Sequence, residues 1–439
     1  MKLFSRRDVL GLGVAAVATP GPSSALARVN PSDASQTAPV QILQPLAPDD
    51  EQSWARVASQ YDVLQTPIPL ENGNFGVMAA PVLAAYTRHL VRVNQEGAYY
   101  SRRGFSADAE RVRARAAASL GVDPTEIVFT RGATEALQML VGGYTRLRAG
   151  DAVLYADLDY DSVQSAMDWL AVRRGVQVVR INLPEPATYQ GLIDAYAAAL
   201  EANPRIRLLL LTHVSHRTGL RLPLQEIIAM ARTRGVDAIV DSAHAWGQVP
   251  LNLRALGVDF AGLNGHKWIG APLGIGLAYI RRSRIGDIEP FMGNSEYPNS
   301  DDIRNRVHTG TTSFATVLAL EDALNFHEKL GPEAKFARLA YLRNLWTEPT
   351  RELPGVQILT PADARLHGAI TSFRLRGQTT VEAASGLARR LLQEADIFTV
   401  HRTGVAAGAC VRVTPALFNS AAEIHQLAAA IKRLQETQA

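Results

Sequence analysis

Seven short apolar runs punctuate the middle of the chain, at 127–130, 153–156, 176–182, 206–212, 236–241, 260–264 and 275–280. They are rich in Val, Ile and Leu with little polar alternation, the pattern of strands covered on both faces. Stretches of helical spacing at 161–173, 188–203 and 223–234 separate them. Strand and helix in turn predict an α/β domain with a largely parallel sheet and chemistry on the loops at the strand ends. A helical stretch at 315–330 closes this region. Beyond it the pattern is mixed, with helices expected at 381–394 and 421–437 around strand-like 369–375 and 410–413.

Two predicted strand ends carry residues with a chemical relation. Asp241-Ser242-Ala243-His244 ends one run, and Asn264-Gly265-His266-Lys267-Trp268-Ile269-Gly270-Ala271-Pro272 ends the next. A carboxylate on one turn and a lysine on a later one suit pyridoxal 5′-phosphate (PLP). The amine condenses with the cofactor aldehyde, and the carboxylate keeps the pyridine nitrogen protonated so that the ring accepts electrons. Taken singly, Lys267 reads as a solvated loop lysine and Asp241 as a helix cap. The other parts such a site needs follow in a sensible order. Arg131-Gly132-Ala133-Thr134-Glu135-Ala136 comes after the first run and opens a predicted helix. Backbone N–H groups there, with the Thr134 hydroxyl, suit a phosphate dianion; in isolation the segment is an ordinary N-cap turn. Tyr160 lies just beyond the second run, where an aromatic covers a ring face or simply fills core.

Over roughly residues 60 to 435, these segments resemble the class V aminotransferase family, and within it the isopenicillin-N-epimerase-like group. The resemblance implies fold-type I: a large domain, 85–330, with a mainly parallel seven-stranded sheet, and a smaller α+β domain, 331–439, joined by the N-terminal segment 51–84. It implies Lys267 as the Schiff-base lysine, Asp241 as the pyridinium partner, Tyr160 as the stacking residue and His244 as a neighbour of the cofactor's phenolic oxygen. Ala133, Thr134 and His266 match phosphate-binding positions. His308-Thr309-Gly310-Thr311-Thr312 looks like the loop that this family lends to the neighbouring subunit's phosphate, which implies a homodimer with Thr311 reaching across it. Arg412, in Val411-Arg412-Val413-Thr414-Pro415, matches the arginine that grips the substrate α-carboxylate, a task suited to its planar fork.

Departures from the pattern narrow the chemistry. Cysteine desulfurases of this family carry a nucleophilic cysteine in the loop after an Arg-Thr-Gly turn. Here Arg402-Thr403-Gly404 runs into Val405, Ala406 and Ala407. The single cysteine, Cys410, reads as a small buried residue, which argues against desulfuration by persulfide transfer. Thr212-His213-Val214-Ser215-His216-Arg217-Thr218-Gly219 is similar to the matching stretch of kynureninases as much as to that of the epimerase group. His216 stands where desulfurases place an asparagine against the cofactor oxygen; it either tunes proton transfer or fills space.

The first 27 residues concern location. Ser5-Arg6-Arg7-Asp8-Val9-Leu10 is a twin-arginine signature, followed by a modest apolar stretch at 11–18 and an Ala25-Leu26-Ala27 cleavage pattern. This predicts a removable signal that sends the folded protein through the twin-arginine translocon (Tat) to the periplasm or beyond. A stable membrane anchor is not expected, because the stretch falls well below the roughly 20 residues that span a bilayer. Residues 28–50, rich in Pro, Ser, Gln and Ala, read as a flexible lead-in. Without Lys2, Arg6, Arg7 and Asp8, the 45 basic and 42 acidic residues become 42 and 41, net +1. No strong field then invites nucleic acid or an anionic membrane. One cysteine precludes an internal disulfide, and no metal is expected.

The expected function is an exported, dimeric PLP enzyme acting at Cα of an amino acid or amino-acid-like small molecule, of epimerase or aminotransferase type. Proton loss with reprotonation, nitrogen transfer and expulsion of a side-chain substituent share one start, with Lys267 freed as general base. A kynureninase-like or C–S lyase and an oxidative enzyme of siderophore maturation are the alternatives. Outside enzymology stands a catalytically silent PLP-fold binding protein, against which the joint presence of Lys267, Asp241 and Arg412 argues. No Gly-x-Gly-x-x-Gly follows the first strand, so a nicotinamide-binding protein is the weaker reading.

Overall fold

A computed structural model describes residues 46–290, 301–307 and 310–436. The expected export signal, 1–27, lies outside these residues, as do His308 and Thr309 and most of the lead-in. The α-helices are α1 (Glu51–Ala58), α2 (Ala80–Arg103), α3 (Phe105–Leu120), α4 (Ala133–Gly143), α5 (Asp161–Arg174), α6 (Tyr189–Ala202), α7 (Leu224–Thr233), α8 (Phe314–Leu330), α9 (Pro332–Arg351), α10 (Val381–Ala395) and α11 (Ala421–Glu436). Among the described residues, no helix is long and apolar enough to cross a membrane.

The seven apolar runs form one sheet of strands β1 (Ile127–Thr130), β2 (Ala152–Ala156), β3 (Gln177–Ile181), β4 (Ile206–Thr212), β5 (Asp237–Asp241), β6 (Phe260–Asn264) and β7 (Gly276–Ile280). Its order is β1-β7-β6-β5-β4-β2-β3, and neighbours are parallel except where β7 pairs with β1 and β6. The residues of β4 explain the missing polar alternation. Leu209 and Leu211 enter a core with α3, α6, α7 and α8, whereas Leu208 and Leu210 enter a second core with α4 and α5. Both faces are therefore dry, and each fully shielded leucine contributes about 1.5–3 kcal/mol.

A four-stranded antiparallel sheet follows, of β8 (Val356–Ile358), β9 (Thr371–Leu375), β10 (Val400–Arg402) and β11 (Cys410–Val413), in the order β10-β11-β9-β8. Phe373 and Val411 from its strands meet Trp346 of α9, Leu391 of α10 and Leu427 of α11 in a separate core. The N-terminal segment joins this core: Ile68 and Pro69 pair in parallel with Ile397 and Phe398, and Ile68 and Leu70 are buried there.

Helix α9 was not expected, and its composition shows why. Three of its buried positions are Lys335, Arg338 and Arg343, which break the apolar stripe in the sequence. Each finds an oxygen. Lys335 donates to the Trp268 carbonyl, Arg338 to Glu51 and to the Pro48 carbonyl at 3.0 Å, and Arg343 to the Pro361 carbonyl at 2.7 Å. The end of the lead-in is packed as well. Leu46 is buried, the Trp54 indole N–H donates to the Ala47 carbonyl at 2.8 Å, and Asp50 caps α1 by accepting from Ser53 N–H at 3.1 Å.

Candidate active site

The C-terminal ends of β1, β2, β4, β5 and β6 deliver their loops to one cavity of about 600 Å³. Ala133, Thr134, Tyr160, His216, Asp241, His244, His266, Lys267 and Arg412 all line it. Thr311, also expected at a phosphate, is exposed and does not line the cavity of its own chain.

Lys267 sits on the loop after β6, which the N-terminal segment braces. Gly76 N–H donates to the His266 carbonyl at 2.8 Å, and a Cβ on Gly76 would fall 1.8 Å from the Lys267 carbonyl oxygen. Only glycine allows that approach. Lys267 Nζ lies 2.9 Å from His244 Nε2, and the Trp268 indole N–H donates to His244 Nδ1 at 3.3 Å. An indole nitrogen only donates, so Nδ1 is the acceptor and the neutral ring carries its hydrogen on Nε2. Nε2–H then donates to Nζ, which accepts only as a free amine. The electrostatics move Lys267 toward this free amine, which predominates above about pH 8. Burial, helped by Arg412 and Arg402, brings Lys267 down to about 8 against the pull of Asp241. Burial and the Lys267 charge hold His244 well below the usual imidazole range. A free amine is the form that attacks an aldehyde.

Asp241 ends β5, buried, with its Oδ1 accepting from Ala243 N–H at 2.9 Å. Burial raises its pKa above the usual carboxylate value, opposed by that N–H and by Lys267. Nearby is a second buried carboxylate that the sequence reading missed. Asp159 accepts from Ala156 N–H at 2.7 Å, Thr212 N–H at 3.1 Å and the Thr212 hydroxyl at 2.6 Å, tying the ends of β2 and β4 together. Burial pushes it up to about 7. Tyr160, the next residue, meets His216 edge to face with ring centroids 5.2 Å apart. His216 Nδ1 is buried without a hydrogen-bond partner among the described residues. Burial and the charges of Arg217 and Arg412 keep its ring neutral. An orphaned nitrogen on a cavity wall fits a site built around a polar ligand.

At the α4 end, Gly132 offers no side-chain cap, so the first helical turn faces the cavity. Ala133 N–H is engaged by Asn264 Oδ1 at 2.7 Å. The backbone N–H groups of Thr134 and Glu135 have no partner within the helix and, with the Thr134 hydroxyl, remain for an anion. His266 Nδ1–H donates to the Ile275 carbonyl at 3.1 Å, so its Nε2 donates to an anion only in the protonated ring. Burial works against that form.

Arg412, buried on β11, donates through Nη1 to the His216 carbonyl at 2.7 Å and pairs through Nη2 with Glu71. Burial lowers Arg412 to about 10, so it stays a cation at neutral pH. Glu71 also pairs with Arg402 Nη2 at 3.3 Å, and Arg402 lines the cavity. The sequence reading used Arg402 only as a landmark and passed over Glu71, which lies 341 residues from Arg412 along the chain. Cys410, the first residue of β11, is buried, and burial pushes its thiol up to about 11. A buried, protonated thiol is a poor nucleophile.

The profile of the family Aminotransferase class-V matches residues 78–427. The chain belongs to the class-V aminotransferase family. Isopenicillin N epimerase of Streptomyces clavuligerus is 27% identical over 397 residues, covering 87% of this chain and 98% of that protein. Isopenicillin N epimerase of Amycolatopsis lactamdurans is 29% identical over 404 residues, covering 88% and 99%. A probable cysteine desulfurase of Xylella fastidiosa is 27% identical over 417 residues, covering 89% and 97%. Among solved structures, the cysteine desulfurase CsdA of Escherichia coli aligns with a TM-score of 0.74 at 22% identity, over 88% of this chain and 98% of that one. That likeness shows the fold, which is fold-type I. The protein is a PLP-dependent enzyme of the class-V aminotransferase family.

Proposed function

We propose that this enzyme removes the proton from Cα of an amino-acid-like substrate, with an epimerase or aminotransferase outcome, and that it works as an exported homodimer. The observation that carries the reading is the 2.9 Å contact of Lys267 Nζ with a neutral His244, in a cavity that Asp241 and Arg412 also line. PLP, when bound, supplies an aldehyde to amines and a ring that draws electron density from Cα. Asp241 would hold its pyridine nitrogen, Tyr160 and His216 would flank the ring, and the first turn of α4 with Thr134 would hold its phosphate. Lys267, steadied by His244, would take the Cα proton and return it. Arg412 would orient the substrate through its carboxylate. The absence of cysteine from 405–407, with the Cys410 thiol buried and protonated, favours proton transfer over persulfide formation.

Incubation with an amino-acid panel in D2O, followed by mass spectrometry and chiral chromatography, tests the reading. Deuterium at Cα with loss of stereochemical purity supports the epimerase type, and deuterium with oxo-acid formation supports the aminotransferase type. Release of a side-chain fragment without exchange at Cα overturns both. Lys267→Ala should abolish exchange and leave the fold intact, and borohydride reduction of the wild type should place a pyridoxyl group on Lys267. Export rests on Arg6-Arg7 and Ala25-Leu26-Ala27, and dimerisation on Gly310-Thr311-Thr312.

A further inference from the structure

Two arginines, not one, stand at the carboxylate end of the cavity, and they share a single counter-ion. Arg402 and Arg412 both line the cavity, and Glu71 Oε1 accepts from Nη2 of each. The cluster is starved of partners: Glu71 Oε2, Arg402 Nε and Arg412 Nε are buried with none among the described residues. Glu71 is fixed by backbone pairing, since Leu70 N–H donates to the Phe398 carbonyl at 3.0 Å and Thr414 N–H to the Leu70 carbonyl at 2.8 Å. Arg217, beside His216, is already paired with Asp161, and Lys267 is taken up by the cofactor in the holoenzyme. The cluster therefore carries a net charge of +1 rather than +2.

We propose that Glu71 determines specificity by setting this charge, so that the site takes substrates with one free carboxylate and rejects those with two. This rests on Arg412 as the carboxylate seat. One carboxylate brings the cluster to neutrality. A second would leave an uncompensated negative charge in a poorly solvated place, which is costly. Without Glu71, two carboxylates would be matched.

Titration of the holoenzyme with alanine, alaninamide, aspartate and glutamate, followed by the cofactor's visible absorption, tests the idea. The wild type should favour alanine over aspartate and glutamate. Glu71→Gln should shift that ratio toward the dicarboxylates by on the order of tenfold. The double variant Glu71→Gln with Arg402→Gln, again net +1, should return it toward the wild-type value, a rescue that mere structural damage would not give. A ratio unmoved by Glu71→Gln, or moved toward alanine, overturns the proposal. Should Glu71→Gln alone fail to fold, Arg402→Gln, net zero, must weaken aspartate more than alanine, and the opposite order overturns the proposal equally. Arg412→Gln separates the two levels of argument. If it does not weaken alanine more than alaninamide, the carboxylate seat itself is misassigned; if it does while Glu71→Gln is silent, only the role of Glu71 falls.

Discussion

Lys335 offers a test of how the site's scaffold carries buried charge. It lies on α9, 6% exposed, with its amine on the carbonyl of Trp268, the residue after Lys267. No salt bridge neutralises it among the described residues, and its neighbour His327, held down to about 3, supplies no charge. Burial brings Lys335 from 10.5 down to about 7. Below that pH both folded and unfolded chains hold the proton, and the folded state carries the full cost of a buried ammonium. Between about 7 and 10.5 the unfolded chain keeps the proton that the folded chain has lost. Stability therefore rises with pH across that window, by up to about 1.4 kcal/mol per unit.

Lys335→Met removes the ammonium, whose shift corresponds to on the order of 5 kcal/mol. It also strips the Trp268 carbonyl of its donor, which costs about 1–3 kcal/mol. At about pH 6 the variant should be the more stable by roughly 2–4 kcal/mol. By about pH 10 the order should reverse, because the wild-type amine is then neutral and still donates. Urea unfolding of both proteins at several pH values measures the difference, in which all other titrating groups cancel. A gap that stays constant from acid to alkali would refute the reasoning.

Apoprotein should recombine with PLP faster as pH rises through about 8, where Lys267 loses its proton; stopped-flow absorbance follows this, and a rate indifferent to pH contradicts the neutral-amine geometry. Changing Arg6 and Arg7 to lysine should leave unprocessed protein in the cytoplasm, and continued periplasmic delivery would count against Tat export. Thr311→Ala should weaken PLP retention by about 1.5–3 kcal/mol. Mixing Thr311→Ala subunits with Lys267→Ala subunits should raise activity, since a heterodimer then holds one intact site; no rise, with heterodimers confirmed and the Thr311→Ala homodimer impaired, means the loop serves its own subunit.

What could be read from the sequence was what neighbouring residues determine. Leu208 to Leu211 announce a strand dry on both faces because four consecutive leucines have no other place in a soluble sheet. Asp241 and Lys267 were legible because each follows such a run directly, so the sheet itself carries them to a common edge. Glu71 was not legible, because its meaning lies in Arg402 and Arg412, which a parallel bridge between Glu71 and Thr414 brings beside it. Asp159 was hidden for a related reason: its three donors come from the ends of two strands, β2 and β4, which α5, β3 and α6 separate along the chain. Helix α9 escaped because burying cations against carbonyl oxygens reverses the polarity that periodicity detects.

The same long-range charges give the site its division of labour. His244, His216 and His266 line the cavity, yet burial and surrounding cations hold all three below the ordinary imidazole range. They act as neutral donors and acceptors with fixed tautomers where a partner dictates one, as Trp268 does for His244 and the Ile275 carbonyl for His266. Lys267 differs because Asp241 and Glu71 oppose the shift that burial and the arginines impose, leaving it at about 8. A group poised there can hold a proton in one step and release it in the next near neutral pH. Asp241 in the cavity wall and Glu71 behind its arginines thus tune together the one amine on which the proposed proton transfer depends.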